Sequence, residues 1–292
     1  MTRAQLINLL VFRNFAKLLS KMLAGLKNLF VRILIKLMLR MGLVPKRLRA
    51  AHLIRQWTEG TVIAGPFTGM RYVEQSVGSA LYPKLLGTYE KELQPVIERL
   101  CAKEYRWIID VGAAEGYYAI GMALRCQGAH IVAFESVEAG RQLIHQLAER
   151  NQIETKVDIH GYCDSDTLRK QLKEIQKEKC LIIMDVEGFE IELLEPRHTP
   201  ELIECDILVE LHDGKATGPI GDEIQSRFES THRIERFWSR QRCLEDLPSR
   251  ESFWVNWRMI QMLSEGRKRG LSWLYMESLV AACSRPGVVP SA

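Results

Sequence analysis

The stretch Trp107-Ile-Ile-Asp-Val-Gly-Ala-Ala-Glu-Gly-Tyr-Tyr118 decides the fold. Its first five residues are a strand pattern. Gly112 permits a turn sharp enough to bring backbone against a ligand, and Gly116 lets a helix begin close to the strand. Outward from this stretch, short apolar runs recur at 107–111, 131–134, 157–160, 181–186 and 207–211. Segments with helical character lie between them at 117–125, 138–150, 167–178 and 189–194. The alternation predicts a doubly wound α/β domain whose mostly parallel sheet carries helices on both faces. Residues 233–238 and 252–257 read as two further strands with no obvious helix between them, suited to an antiparallel pair at the sheet edge. Upstream, residues 88–101 have helical spacing in Leu93, Ile97 and Leu100, with Pro95 in the first turn or imposing a kink.

At 292 residues and 47% apolar content the chain can bury one sizeable core. Seven scattered cysteines without a Cys-x-x-Cys pair favour a reducing compartment and no structural zinc. Residues 1–58 hold twelve Lys or Arg and no acid, the first carboxylate being Glu59, so the remainder is net negative. From Leu6 to Leu43, basic residues punctuate an apolar sequence, several of them four apart, as on one stripe of a helix. No uncharged run reaches the roughly 18 to 20 residues a spanning helix needs. This basic amphipathic helical segment therefore reads as lying on an anionic membrane surface, as packing on the α/β domain or on a second subunit, or as a targeting segment. The divisions read from the sequence are 1–58 for the basic segment, 59–104 for a lead-in, 105–260 for the α/β domain and 261–292 for a helical tail. Nucleic acid is not an expected partner, because no basic stripe with interleaved aromatics occurs outside the N-terminus.

The loop 112–116 is not the Gly-x-Gly-x-x-Gly turn on which a pyrophosphate sits, since residues 114 and 115 are Ala and Glu. Asp110 and Glu115 suit a cationic ligand better, and adenosylmethionine, with a sulfonium and an ammonium group, is such a ligand. Glu135 ends the second strand nineteen residues after Gly116, where a carboxylate can accept both ribose hydroxyls of an adenosine. The candidate cofactor residues are thus Asp110, Gly112, Ala113, Glu115, Gly116, Glu135, Ser136, Asp164 and Asp185. Asp164 would take the adenine amino group or cap the next helix. The fourth strand ends in Asp185-Val-Glu187, two carboxylates that an extended chain would project to the same side. The fifth brings His212 and Asp213 to the same edge. Asp185, Glu187 and His212 are the candidate catalytic group, taking a proton from an acceptor hydroxyl or holding a divalent metal that lowers its pKa.

With these residues in view, the sequence resembles the FkbM-type family of class I methyltransferases. The likeness lies in Asp110-Val-Gly-Ala-Ala-Glu-Gly-Tyr-Tyr118, Phe134-Glu135, Asn151, Met184-Asp-Val-Glu-Gly-Phe-Glu190 and Asp206-Ile-Leu-Val-Glu-Leu-His212, with a weaker match at Gly87-Thr-Tyr-Glu90. It spans residues 65 to 240. The resemblance implies a seven-stranded, Rossmann-like class I methyltransferase fold, S-adenosyl-L-methionine as methyl donor, and O-methylation of a sugar or another small-molecule or glycan hydroxyl. Glu115 departs from the small residue or Asn usual in that loop. A cytoplasmic protein, peripheral on the inner face of a membrane, is the location these features imply. Two competing expectations are a nicotinamide-dependent oxidoreductase, disfavoured by the missing third glycine, and a methyltransferase-fold scaffold without activity, disfavoured by the acids at successive strand ends.

Overall fold

The computed structural model describes residues 46–175, 178–212, 220–248, 263, 265 and 271–280. The basic segment at 6–43, Asp213 and the expected strand at 252–257 lie outside the described residues. Two compact units divide the chain, Met1–Leu53 and Ile54–Ala292. Helix α1 covers Lys46–Thr58. No helix among the described residues is long and apolar enough to cross a membrane.

In the second unit the elements follow as α2 (Leu81–Leu86), α3 (Gln94–Cys101), β1 (Trp107–Val111), α4 (Tyr117–Arg125), β2 (His130–Phe134), α5 (Glu138–Asn151), β3 (Val157–His160), α6 (Ser165–Ile175), β4 (Cys180–Met184), α7 (Glu190–Leu193), β5 (Asp206–Leu211), α8 (Ile220–Phe228), β6 (His232–Trp238) and β7 (Ser272–Ser278). Pro95 sits in the first turn of α3, where its missing N–H costs nothing. The seven strands order as β3-β2-β1-β4-β5-β7-β6, all parallel except β7, which runs antiparallel to both neighbours. This is the doubly wound, mostly parallel, seven-stranded sheet of a class I methyltransferase fold.

Period-two alternation explains why the central strands look continuously apolar. Ile108, Ile131, Leu181, Ile183 and Leu208 face α3, α4 and α5 through Ile97, Ile120 and Ile144. Ile109, Val132, Ile182, Met184 and Val209 face α6 and α8 through Leu172 and Ile224. With a core on each side, nearly every strand residue must be apolar.

Asn151 at the end of α5 accepts from the Arg71 N–H at 2.9 Å and donates to its carbonyl at 2.8 Å, clamping the lead-in to the domain. The partner of β6 is not a neighbouring hairpin strand but β7, inside what reads from the sequence as a helical tail. Trp273, Leu274, Tyr275 and Met276 are all buried, because β7 lies between β5 and β6 with both faces covered. Periodicity alone cannot separate such a run from a buried helix.

Candidate functional site at the carboxyl edge of the sheet

A cavity of about 630 Å³ opens at the carboxyl ends of β1 to β5, where ligands of open α/β sheets bind. Asp110, Gly112, Ala113, Glu135, Ser136, Asp185, Glu187 and His212 all line it. Glu115, Gly116 and Asp164 do not.

Gly112, at φ +85°, passes so close to the end of β4 that a Cβ would fall 1.8 Å from the Asp185 carbonyl oxygen. Ala114 is held left-handed at φ +51°, a conformation that strains a residue with a side chain. Glu135 bridges this loop to the next, accepting from the Ala114 N–H at 2.8 Å and the Val137 N–H at 2.7 Å. Gly140 on α5 makes room for it, since a Cβ there would lie 2.7 Å from Glu135 Cγ. The sequence reading passed over Gly140, whose signal is its place five residues after Glu135. Gly116 opens α4 against Ile144, behind the cavity wall.

Asp110 is 3% exposed, and its Oδ2 has no hydrogen-bond partner among the described residues. Burial, together with the charges of Asp185 and Glu135 and against the Ala119 N–H, pushes its pKa up to about 7. The loop's other acid has a different place. Glu115 is fully buried and accepts from Lys84 Nζ at 2.6 Å, the Tyr72 hydroxyl at 2.8 Å, Ser76 Oγ at 2.5 Å and the Val77 N–H at 3.1 Å. Against its burial, Lys84 and these donors hold its carboxyl below the usual range. Glu115 is therefore the anchor of the 72–84 segment and not a ligand contact. Lys84, 2% exposed, reaches the cavity wall between the Tyr89 and Tyr117 rings, 4.8 and 5.4 Å from their centroids, but its charge is neutralised by Glu115. Asp164 is a second correction. Its Oδ1 accepts the Thr167 N–H at 2.8 Å, so the exposed carboxylate caps α6, and this bond holds its pKa below the usual range.

On the far side, the chain after β4 turns at Glu187, φ +53°, and Gly188, φ +109°. Asp185 and Glu187 do converge, through this turn and not through an extended strand. His212 Nε2 lies 3.6 Å from Asp185 Oδ1 and 3.5 Å from Glu187 Oε2, while their side chains are 36% and 85% exposed. The group is thus graded from half-buried to open. The imidazole is oriented by a residue the sequence reading quoted without a role. Glu190 is 0% exposed and its Oε1 accepts from His212 Nδ1 at 2.6 Å and from the Gly188 N–H at 3.1 Å. Burial opposes a charged imidazole, but the bond and charge of Glu190, with Asp185 and Glu187 beyond, raise the His212 pKa above its ordinary value. Two exposed aromatics, Tyr162 after β3 and Phe189 after β4, flank the cavity. His232 turns away from this edge and bonds the Cys205 carbonyl at 2.9 Å.

No family model matches the chain, and no curated protein matches it in sequence. Among solved structures it is similar to the N-terminal domain of human METTL16, at 14% identity over 77% of this chain and 80% of that one, with a TM-score of 0.46. It is also similar to the human methyltransferase 10 domain containing protein, at 13% identity over 78% and 97%, TM-score 0.45. A third is the O-methyltransferase TomG from Streptomyces achromogenes in complex with SAM, at 12% identity over 64% and 79%, TM-score 0.42. Likeness of this degree adds nothing to the strand order already described and says nothing of a ligand.

Proposed function

We propose that the chain is an S-adenosyl-L-methionine-dependent methyltransferase of the FkbM type, acting on a hydroxyl of a sugar or another small molecule or glycan. The observation that carries this reading is the acidic character of the carboxyl-edge cavity wall among the described residues. Asp110, Glu135, Asp185, Glu187 and Glu210 line it, while the charge of the lining Lys84 is already matched by Glu115. Such a wall repels a pyrophosphate and attracts a cation, which favours a sulfonium cofactor over a nicotinamide dinucleotide.

The residues present fit adenosylmethionine. Glu135 keeps lone pairs beyond the two amides it already binds, enough for two ribose hydroxyls. Asp110, with a buried oxygen lacking a partner, offers a charge to the ammonium end. When bound, the cofactor supplies a methyl group on cationic sulfur. The chain's contribution is to seat an acceptor hydroxyl beside Asp185, Glu187 and His212, ease removal of its proton, and hold it within attack distance, the largest source of acceleration for such a transfer. Alanine at Glu135 is expected to weaken adenosylmethionine binding at least about tenfold, each lost hydroxyl contact contributing on the order of 1 kcal/mol. Asp185→Ala should retain binding and lose transfer to acceptors in fractionated cell extract. Calorimetry showing wild-type affinity in the Glu135 variant would reject the ribose assignment.

Residues 6–43 are proposed, from their charge and apolar pattern, to lie on an anionic membrane surface, placing the protein at the inner face of a membrane. The full chain should sediment with anionic vesicles, and a chain starting at Lys46 should not, while still binding adenosylmethionine. Equal sedimentation of the two would remove the membrane assignment.

A further inference from the structure

The ring of His212 is fixed from behind and faces carboxylates in front. Nδ1 is bonded at 2.6 Å to Glu190, a carboxylate with no solvent exposure whose second oxygen has no hydrogen-bond partner among the described residues. Nε2 faces Asp185 and Glu187 at 3.6 and 3.5 Å. Two ligand atoms each about 2.1 Å from a shared ion lie roughly 3.0 Å apart at a right angle and about 3.4 Å apart at a tetrahedral angle. The observed separations match the second within a few tenths of an ångström. All three ligand atoms lie within 4.8 Å of one another.

We propose that Asp185, Glu187 and His212 form a site for a first-row transition-metal dication, Zn²⁺ or Mn²⁺, with Glu190 as the positioning residue that fixes the imidazole. One imidazole and two carboxylates suit these ions better than Mg²⁺ or Ca²⁺, which take oxygen ligands alone. A buried carboxylate on the remote nitrogen is the usual support of a metal-bound histidine, setting its tautomer and raising its basicity. On the same cavity wall Asp110, 3% exposed, has an oxygen with no hydrogen-bond partner among the described residues. The open side at Glu187, 85% exposed, leaves coordination positions for water or an acceptor oxygen. That the ion activates an acceptor hydroxyl rests on the methyl-transfer reading; the ion site itself does not.

The test is calorimetric titration of the full, chelator-stripped chain with ZnCl₂ and with MnCl₂, the latter followed also by loss of the free Mn²⁺ paramagnetic resonance signal. One ion per chain is expected. Glu187→Gln, at an exposed side chain where folding is not at stake, and His212→Ala should each weaken binding about tenfold or more. Glu190→Gln should weaken it roughly 10- to 100-fold, the usual effect of losing such a support. Asp164→Asn, an acid elsewhere on the same sheet edge, should leave it unchanged. Absence of saturable binding, or binding indifferent to both Glu187→Gln and His212→Ala, overturns the site. Adenosylmethionine binding to the stripped protein is read in parallel. If it persists while metal binding fails, the metal inference falls and the methyl-transfer reading stands; the reverse result separates them the other way.

Discussion

Glu115→Ala is expected to cost about 3 to 5 kcal/mol of folding stability, read as a shift in the urea midpoint. That is the range found when one partner of a buried ion pair is removed and the other left uncompensated. The pair is deeply enclosed, with side chains 3% and 0% exposed and 2.6 Å apart. Removing the carboxylate strands the Lys84 ammonium among Tyr89 and Tyr117 and also deprives Tyr72 and Ser76 of their acceptor. The double variant Lys84→Met/Glu115→Leu should recover the part of the loss due to the stranded ammonium, because an apolar pair avoids desolvating two charges, while the Tyr72 and Ser76 hydroxyls remain without their acceptor. A Glu115→Ala protein with unchanged midpoint but weakened adenosylmethionine binding would restore this residue to the cofactor and refute the structural assignment. Since its pKa is depressed in the fold, its contribution is present at neutral pH and is lost in acid as pH falls through the lowered folded value.

Asp110→Asn should act in the opposite direction. The Asp110 carboxyl is raised from 3.8 to about 7 in the folded protein. A carboxyl raised in the native state erodes stability as pH climbs from its unfolded value to its folded one, because the unfolded chain releases the proton first. At roughly 1.4 kcal/mol per unit, the erosion reaches a ceiling of about 4 kcal/mol above pH 7. Asparagine removes that penalty but leaves its amide N–H₂ where Oδ2 lacks a partner, a cost of about 1 to 3 kcal/mol. The net expectation is a gain of about 2 kcal/mol at pH 8 that reverses to a loss of about 1 to 2 kcal/mol toward pH 4, where only the amide cost remains, measured by urea unfolding of both proteins at the two pH values. A difference independent of pH would mean that Asp110 does not titrate in this range. The same substitution should abolish the rise in adenosylmethionine affinity expected of the wild type as pH passes 7, where the charge facing a cationic ligand forms.

The central sheet was legible because its signals are local. The runs ending at Asp110, Glu135, Asp185 and His212 pair short apolar stretches with polar residues at the same edge, and the structure gathers all four on one cavity. What misled is what periodicity and spacing do not encode. Glu115 follows a strand as a ligand acid would, yet its fate is set by Lys84, 31 residues away. Asp164 is an N-cap by composition and proves to be one in geometry. Glu187 reaches His212 through a left-handed turn that the strand pattern before it does not announce. Glu190 was in plain view, but nothing local tells a buried carboxylate at the start of a short helix from a solvated one; His212, 22 residues on, makes the difference.

The placement of β7 has a consequence for how the chain is made. β6 has β7 as its neighbour, and β7, 34 residues further along from Trp238 to Ser272, must slide between β5 and β6. While the chain emerges from the ribosome, five parallel strands can assemble in order. In this strand order β5 and β6 each lack their β7 partner until that strand has been made, and the edge of β5 stays open to mispairing until then. The nascent protein's exposure to mispairing is governed by how soon that final strand arrives, whatever the strength of the core already built beneath it.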